Sequence, residues 1–206
     1  MKSQLEKTAA FVLCMVVTLL GLACGKSEKR AVPTLTLFKV KPFADLPPLS
    51  NSAQSIDLGS LSLRAAPLLT DEESQELFEA NLQLAGLLPI RVEIIHNSGA
   101  PIDLAKVNFR MKDATGAEWK SLSARKALSR ILKANDVYAY NPTARKTFEK
   151  EFGAYELNLK QPLTRSERRR GGFLFFQSPT KDAVTSPHGL TLSIDGLSQP
   201  ATLTFN

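Results

Sequence analysis

The sequence predicts a mainly β domain, an antiparallel β-sandwich with a helical insertion, carried behind an apolar N-terminal segment. Three observations predict it. Short segments with apolar residues at every second position recur from about residue 56 onward, separated by turns rich in Gly, Pro, Asn and Asp. Residues 120–153 change to helical spacing. Residues 1–23 carry neither pattern, only a basic start and an uncharged apolar run.

The leader begins with Lys2 and Lys7, and no charge follows from Thr8 to Ala23. Its densest part, Ala9 to Leu22, falls short of the roughly 20 apolar residues that cross a bilayer comfortably. A basic start, a short apolar stretch and small residues at its end describe a secretory signal peptide. Two other readings are an uncleaved anchor and an ordinary signal peptide cut nearby; length and flanks fit a signal peptide better than a spanning helix.

The small residues run into a cysteine. Leu20-Gly21-Leu22-Ala23-Cys24 resembles the lipobox of bacterial lipoproteins, with Gly21 where leucine is usual. The resemblance implies cleavage between Ala23 and Cys24, a diacylglyceryl group on the Cys24 thiol, and often an acyl chain such as palmitate on the new amine. Two or three acyl chains hold a protein firmly where one holds it marginally, because each buried methylene contributes about 0.8 kcal/mol. The resemblance also implies a site: with Gly25 rather than aspartate after the cysteine, the sorting habit of Gram-negative lipoproteins points to the outer membrane, facing the periplasm. In a Gram-positive cell it implies the outer face of the plasma membrane.

Cysteine use agrees. Of the two cysteines, Cys14 leaves with the leader and Cys24 is the acylated residue, so the body holds no thiol for catalysis or metal binding. Lys2, Glu6 and Lys7 contribute +1 of the formal +6, leaving +5 on residues 24–206. A modest positive charge favours anionic neighbours such as lipid head groups or acidic polymers. An exported chain is an unsuitable partner for nucleic acid. About 180 mature residues suit one domain plus a leader.

Residues 24–55 read as a tether, charged at "GKSEKR" and then proline-rich, with Leu35, Leu37, Phe38 and Val40 apolar enough to lie against the domain or the membrane surface. The domain spans 56–206. "IDLGSLSLRAAPLL" reads as a strand broken at Gly59. Thr70 with Glu73 forms a capping box that opens a helix through about Ala85, where Gly86 stops it. In "LLPIRVEIIH", Ile90, Val92 and Ile94 share one face, with Arg91 and Glu93 on the other. "HNSGAP" turns the chain. Val107, Phe109 and Met111 then alternate with Asn108, Arg110 and Lys112, and Trp119 closes over the core edge after the Asp113–Gly116 turn.

The helical insertion puts Leu122, Ala124, Ala127, Leu128, Ile131 and Leu132 on one side. Asn141 and Pro142 start a second helix carrying Phe148 and Phe152, ended by Gly153. Strands resume with "AYELNLK", with the continuous apolar run "GGFLFFQSP", suited to a strand covered on both faces, and with "GLTLSIDG" and "ATLTFN". Seven or so short strands suggest a sandwich. "PIRVEIIHNSGAPIDL", "FRMKDATGAEW" and "RRRGGFLFFQSP" together resemble immunoglobulin-like domains of uncharacterised bacterial lipoproteins. That resemblance covers roughly residues 56–206 and implies a fold, not an activity.

No chemistry-bearing motif stands out. His96 and His188 read as loop histidines rather than as part of a metal site, which needs three or four ligands at suitable spacing. No nucleophile elbow, dinucleotide fingerprint or phosphate loop occurs, and no cofactor is implied. The densest charge is "TRSERRRGG", where Arg165, Arg168, Arg169 and Arg170 form the candidate anion-binding set, fit to grip phosphates or carboxylates. The competing reading is a solvated loop guarding an apolar strand from aggregation. Lys120, Arg125, Lys126, Arg130 and Lys133 form a second basic set on the insertion. "GGFLFFQ" reads as core rather than as a ligand groove.

The expectation is a non-enzymatic, lipid-anchored envelope protein whose sheet edges and loops bind or help assemble another envelope protein. The alternatives are a binding module for an acidic small molecule or glycan, and a periplasmic hydrolase. Partner identity and oligomeric state have no signature in the sequence.

Overall fold

The computed structural model describes residues 40–49, 53–134 and 142–205. The leader, the Ala23–Cys24 cleavage position, residues 24–39 of the tether and Asn141 lie outside the described residues. The elements in chain order are β1 (Gln54–Asp57), β2 (Leu61–Pro67), α1 (Asp71–Phe78), β3 (Leu87–His96), β4 (Asn108–Lys112), β5 (Glu118–Leu122), α2 (Ala124–Ala134), α3 (Pro142–Gly153), β6 (Arg169–Gln177), β7 (Leu190–Asp195) and β8 (Ala201–Phe205). A single 3-10 turn, Phe43–Asp45, precedes them.

The eight strands form one antiparallel sheet in the order β1-β2-β3-β6-β5-β4-β7-β8. Its two edges, β1 and β8, approach each other without pairing, so the sheet is a nearly closed barrel. The mainly β, antiparallel expectation therefore holds, but the two separate sheets of a sandwich are replaced by a single continuous one. The joint is narrow. β4 meets β5 at only two pairs, Met111↔Trp119 and Lys112↔Glu118, before β5 leaves to pair with β6 through Lys120–Leu122.

Strand alternation builds the interior. Leu61, Leu63 and Ala65 of β2 face Ile90, Val92 and Ile94 of β3 in the same core as Phe109, Met111, Leu192, Ile194, Leu203 and Phe205. The other face of β3 and β6 is covered by helices. Leu87, Phe173 and Phe175 pack there with Phe78, Phe148, Phe152 and the α2 residues Ala127, Leu128 and Ile131. This is why "GGFLFFQ" is apolar at consecutive positions: Leu174 and Phe176 fill the barrel while Phe173 and Phe175 fill the helical layer.

Local chemistry matches several expected boundaries and moves others. Thr70 and Glu73 form the capping box, but α1 ends at Phe78, because Glu79 turns left-handed at φ 49°. The buried Gln83 then holds the following turn, donating to the Leu68 and Thr70 carbonyls and accepting from the Ser74 hydroxyl at 2.6 Å. The segment read as one strand broken at Gly59 is the β1–β2 hairpin. The insertion begins at Ala124 rather than 120, and Lys120 belongs to β5.

"AYELNLK" forms no named strand among the described residues. It touches β6 by a parallel bridge, Glu156↔Phe173, and then runs along the surface, exposed at 158 and 160–162, with Leu157 and Leu163 set into the barrel core. Gly172 makes this passage possible, since a Cβ there would lie 2.4 Å from the Leu157 Cα. The predicted tether also enters the body early. Val40 and Leu49 are buried, Lys41 N–H donates to the Leu77 carbonyl, and the Phe43 ring covers Gly171. Residues 40–49 thus form a strap over the outer face of the sheet.

Candidate functional site

A cleft of about 360 Å³ lies between the β4–β5 turn and the β6–β7 loop. Thr115, Ser178, Thr180, Thr185, Ser186 and His188 bring polar groups to it, beside Trp119, Pro179 and Pro187. Asp113 organises one wall. Its Oδ1 accepts from the Thr115 N–H at 2.9 Å, the Thr115 hydroxyl at 2.6 Å and the Ala117 N–H at 3.1 Å, while Oδ2 accepts from Trp119 Nε1 at 3.2 Å. The Thr115 hydroxyl above all, then Trp119 and the backbone donors, hold the Asp113 carboxyl below its ordinary range. A carboxylate so fully engaged fixes a turn; it is poorly placed to take or give a proton. His188, exposed on the opposite loop, has Nδ1 at 3.0 Å from the Ser186 carbonyl.

The arginine run is divided by strand geometry. Arg170 points inward and is buried. Its Nε donates to Glu167 Oε1 at 2.7 Å, Nη1 to the carbonyls of Asn158 and Gln161 at 2.9 and 2.6 Å, and Nη2 to the Pro162 carbonyl at 3.1 Å and to Glu167 Oε2 at 2.5 Å. All five guanidinium donors are used, which leaves none for a ligand. Hydrogen bonding from Arg170 depresses the Glu167 carboxyl and raises the Arg170 guanidinium in return. Arg169, the next residue, takes the opposite face and pairs with Glu93. Arg165 and Arg168 are exposed. The four residues therefore do not converge: Arg170 is spent, Arg169 gives its Nε to Glu93, and Arg165 and Arg168 are exposed on the loop. In the second basic set, Arg130 is also spoken for, donating to the carbonyls of Ala85 and Lys181 at 3.0 and 2.8 Å.

A third region lies on the outer face of the sheet under the strap. The register aligns Arg64 with Glu93, and Glu93 with Gly171, so Arg64 and Arg169 both reach the buried Glu93 carboxylate. Arg91 sits two residues along β3 on that same face, half-buried. Burial, more than any neighbouring charge, lowers its affinity for its proton. Tyr155 packs beside Phe43 and Phe173 with its hydroxyl buried and without a partner among the described residues. Burial, and next the Asp45 charge, push that hydroxyl up to about 12.

No known protein family, curated protein or solved structure matches this chain. What can be said of its sites rests on its own residues. Among those described, no three His, Cys, Asp or Glu side chains gather as a metal site, and no helix is long and apolar enough to cross a membrane. His96 ends β3, buried, with Nε2 at 2.8 Å from the Ala100 carbonyl, so it fastens the next turn.

Sequence reasoning did not single out the cleft or the strap-covered cluster. Asp113, Thr115 and Trp119 carry a local signal, an Asx-type turn whose aspartate lies three residues before Gly116, but the β6–β7 loop that faces them arrives from far along the chain. Arg91 and Glu93 carry a weaker one. Charges alternating within a long apolar strand hint at a covered face only once the covering segment is known.

Proposed function

We propose that this chain is a non-enzymatic, lipid-tethered binding module of the cell envelope, anchored through Cys24 after cleavage at Ala23. In a Gram-negative cell it resides at the outer membrane, facing the periplasm. The leader ending in Leu20-Gly21-Leu22-Ala23-Cys24 supports the tether. The observation that carries the binding role is the cleft between the β4–β5 turn and the β6–β7 loop. It combines hydroxyl groups with proline and tryptophan on loops fixed to a nearly closed β frame, and its carboxylate, Asp113, is consumed in holding the wall. Such a surface recognises a partner better than it moves protons, which favours binding over hydrolysis. The immunoglobulin-like kinship belongs to the same proposal: five strands (β1, β2, β3, β6, β5) and three (β4, β7, β8) face each other across one core, joined at two residue pairs.

The test is mass spectrometry of the mature N-terminus with membrane fractionation of wild type and Cys24→Ala. An acylated Cys24 in the outer-membrane fraction, lost to the soluble fraction in the variant, supports the tether. Site-specific crosslinkers at Thr180 and Thr185 then test the cleft: capture of one envelope protein, absent when the crosslinker sits at Glu72 of α1, supports the binding surface. A chain that still starts at Met1, or cleft crosslinks no different from those at Glu72, would overturn the respective half.

A further inference from the structure

Three guanidinium groups, of Arg64, Arg91 and Arg169, lie near one buried carboxylate, Glu93, and two of them pair with it. Arg64 lies 3.6 Å from Glu93 Oε2, and Arg169 pairs with Glu93 Oε1. Arg91 makes no side-chain hydrogen bond or ion pair with any described residue, although it is half-buried. Its nearest carboxylate, Glu93, is already paired with Arg64 and Arg169, so the half-buried Arg91 guanidinium has charge and donors to spare for a further anion. Arg91 opens into a cavity of about 220 Å³ whose other walls include Pro47, Pro48, Leu49, Leu68 and Leu77. Two carboxylates at the rim are already engaged: Glu73 accepts from the Leu69 and Thr70 N–H groups at 2.8 and 3.1 Å, and Glu76 pairs with Lys41 at 2.9 Å. The nearby Tyr155 hydroxyl is buried without a partner.

We propose that the cavity between the strap, the end of β2 and α1 binds a carboxylate that carries a short apolar group, with Arg91 of β3 gripping the carboxylate and the prolines and leucines enclosing the apolar part. The charge balance selects an anion, and the walls select an apolar body over a bare inorganic ion. The volume admits a few carbon atoms. The same chemistry is offered by a free short-chain acid and by the C-terminal residue of a peptide. This inference stands apart from the lipid tether and from the cleft, and fails or survives independently of both.

The experiment is calorimetric titration of the detergent-solubilised full chain with isovalerate, with its neutral amide isovaleramide, with acetyl-glycyl-leucine and with inorganic phosphate. Saturable, millimolar binding of isovalerate or of the peptide is expected, and the tighter of the two identifies the source. Isovaleramide and phosphate should each bind at least tenfold more weakly. Arg91→Gln should weaken carboxylate binding about tenfold or more, as loss of a charged hydrogen bond implies. Lys112→Gln, at an exposed position of β4, should leave it unchanged. Trp119 fluorescence reports whether each variant is folded; if Arg91→Gln is not, Pro48→Trp, at an exposed strap position, should fill the cavity and abolish binding in a folded chain. The proposal is overturned if neither carboxylate binds wild type, if amide or phosphate binds equally well, or if both folded variants bind like wild type.

Discussion

Replacing Arg170 should cost more stability than replacing any other arginine of its run. Arg170→Met keeps much of the side-chain volume but removes five hydrogen bonds, two to Glu167 and three to the carbonyls of Asn158, Gln161 and Pro162. Breaking a buried charged pair costs about 3–5 kcal/mol. Here the acceptors soften the loss, because the Glu167 side chain is 43% exposed and residues 158, 161 and 162 lie at the surface, where water can replace the guanidinium. The lower bound, about 3 kcal/mol, is the expected value. With a urea dependence of about 2 kcal/mol per molar, the unfolding midpoint should fall by about 1.5 M. Arg168→Met, on the exposed neighbour, should move it by less than about 0.3 M. The carboxyl of Glu167 sits below its ordinary 4.5 when folded, so its share of the stability is present above pH 4.5 and is lost as pH falls through the depressed value. The gap between wild type and Arg170→Met should narrow accordingly in acid. A midpoint change for Arg170→Met below about 0.5 M, or equal to that of Arg168→Met, would refute the clamp.

Gly172→Ala places a Cβ 2.4 Å from the Leu157 backbone, which has no flexible end to yield, and should destabilise by about 2–3 kcal/mol in the same assay. Gly171→Ala meets only the tip of the Phe43 ring, at 3.0 Å, and should cost about 1 kcal/mol or less; equal costs at the two positions would count against the close passage of Leu157 over Gly172. Tyr155 ionises near 12 when folded against 10.0 unfolded, so its protonated form stabilises the fold fully below pH 10, and that stability is lost as pH climbs from 10 towards 12. Absorbance titration at 295 nm should show a late phase that Tyr155→Phe removes, and the variant should lose less stability than wild type over that interval; identical alkaline profiles would contradict the buried hydroxyl.

The position along the chain and the facing of most strands were legible because each carries its own period, whereas their order in the sheet was not. Ile90, Val92 and Ile94, Phe109 and Met111, and Leu190, Leu192 and Ile194 all face the barrel as alternation requires. The capping box of Thr70 and the proline that opens α3 were legible for the same reason: their chemistry is local. What escaped was set by distant chain. Glu79 in a left-handed conformation ends α1 two turns early, with Gln83 fixing the turn that follows. Tyr155, Leu157 and Leu159 alternate like a strand, yet the segment meets β6 only where Leu157 passes over Gly172 and then leaves along the surface. The basic run misled for a geometric reason, since adjacent arginines on a strand point to opposite faces, and only pairing shows that Arg170 meets a ring of carbonyls while Arg169 meets Glu93. Arg91, which no motif marks, becomes conspicuous only when its neighbours can be counted.

The sheet order also sets a schedule for the chain. β3, near the middle of the body, must wait for β6; β4 must wait for β7; and the two edges that approach each other, β1 and β8, come from opposite ends of the described body. Few of these contacts are local, and distant pairings of this kind slow folding. A chain truncated before Leu190 would expose the interior of β4, with Phe109 and Met111 open to water. Folding therefore completes only after the last strand has been made, and until then the apolar strands depend on something other than their own partners to stay apart.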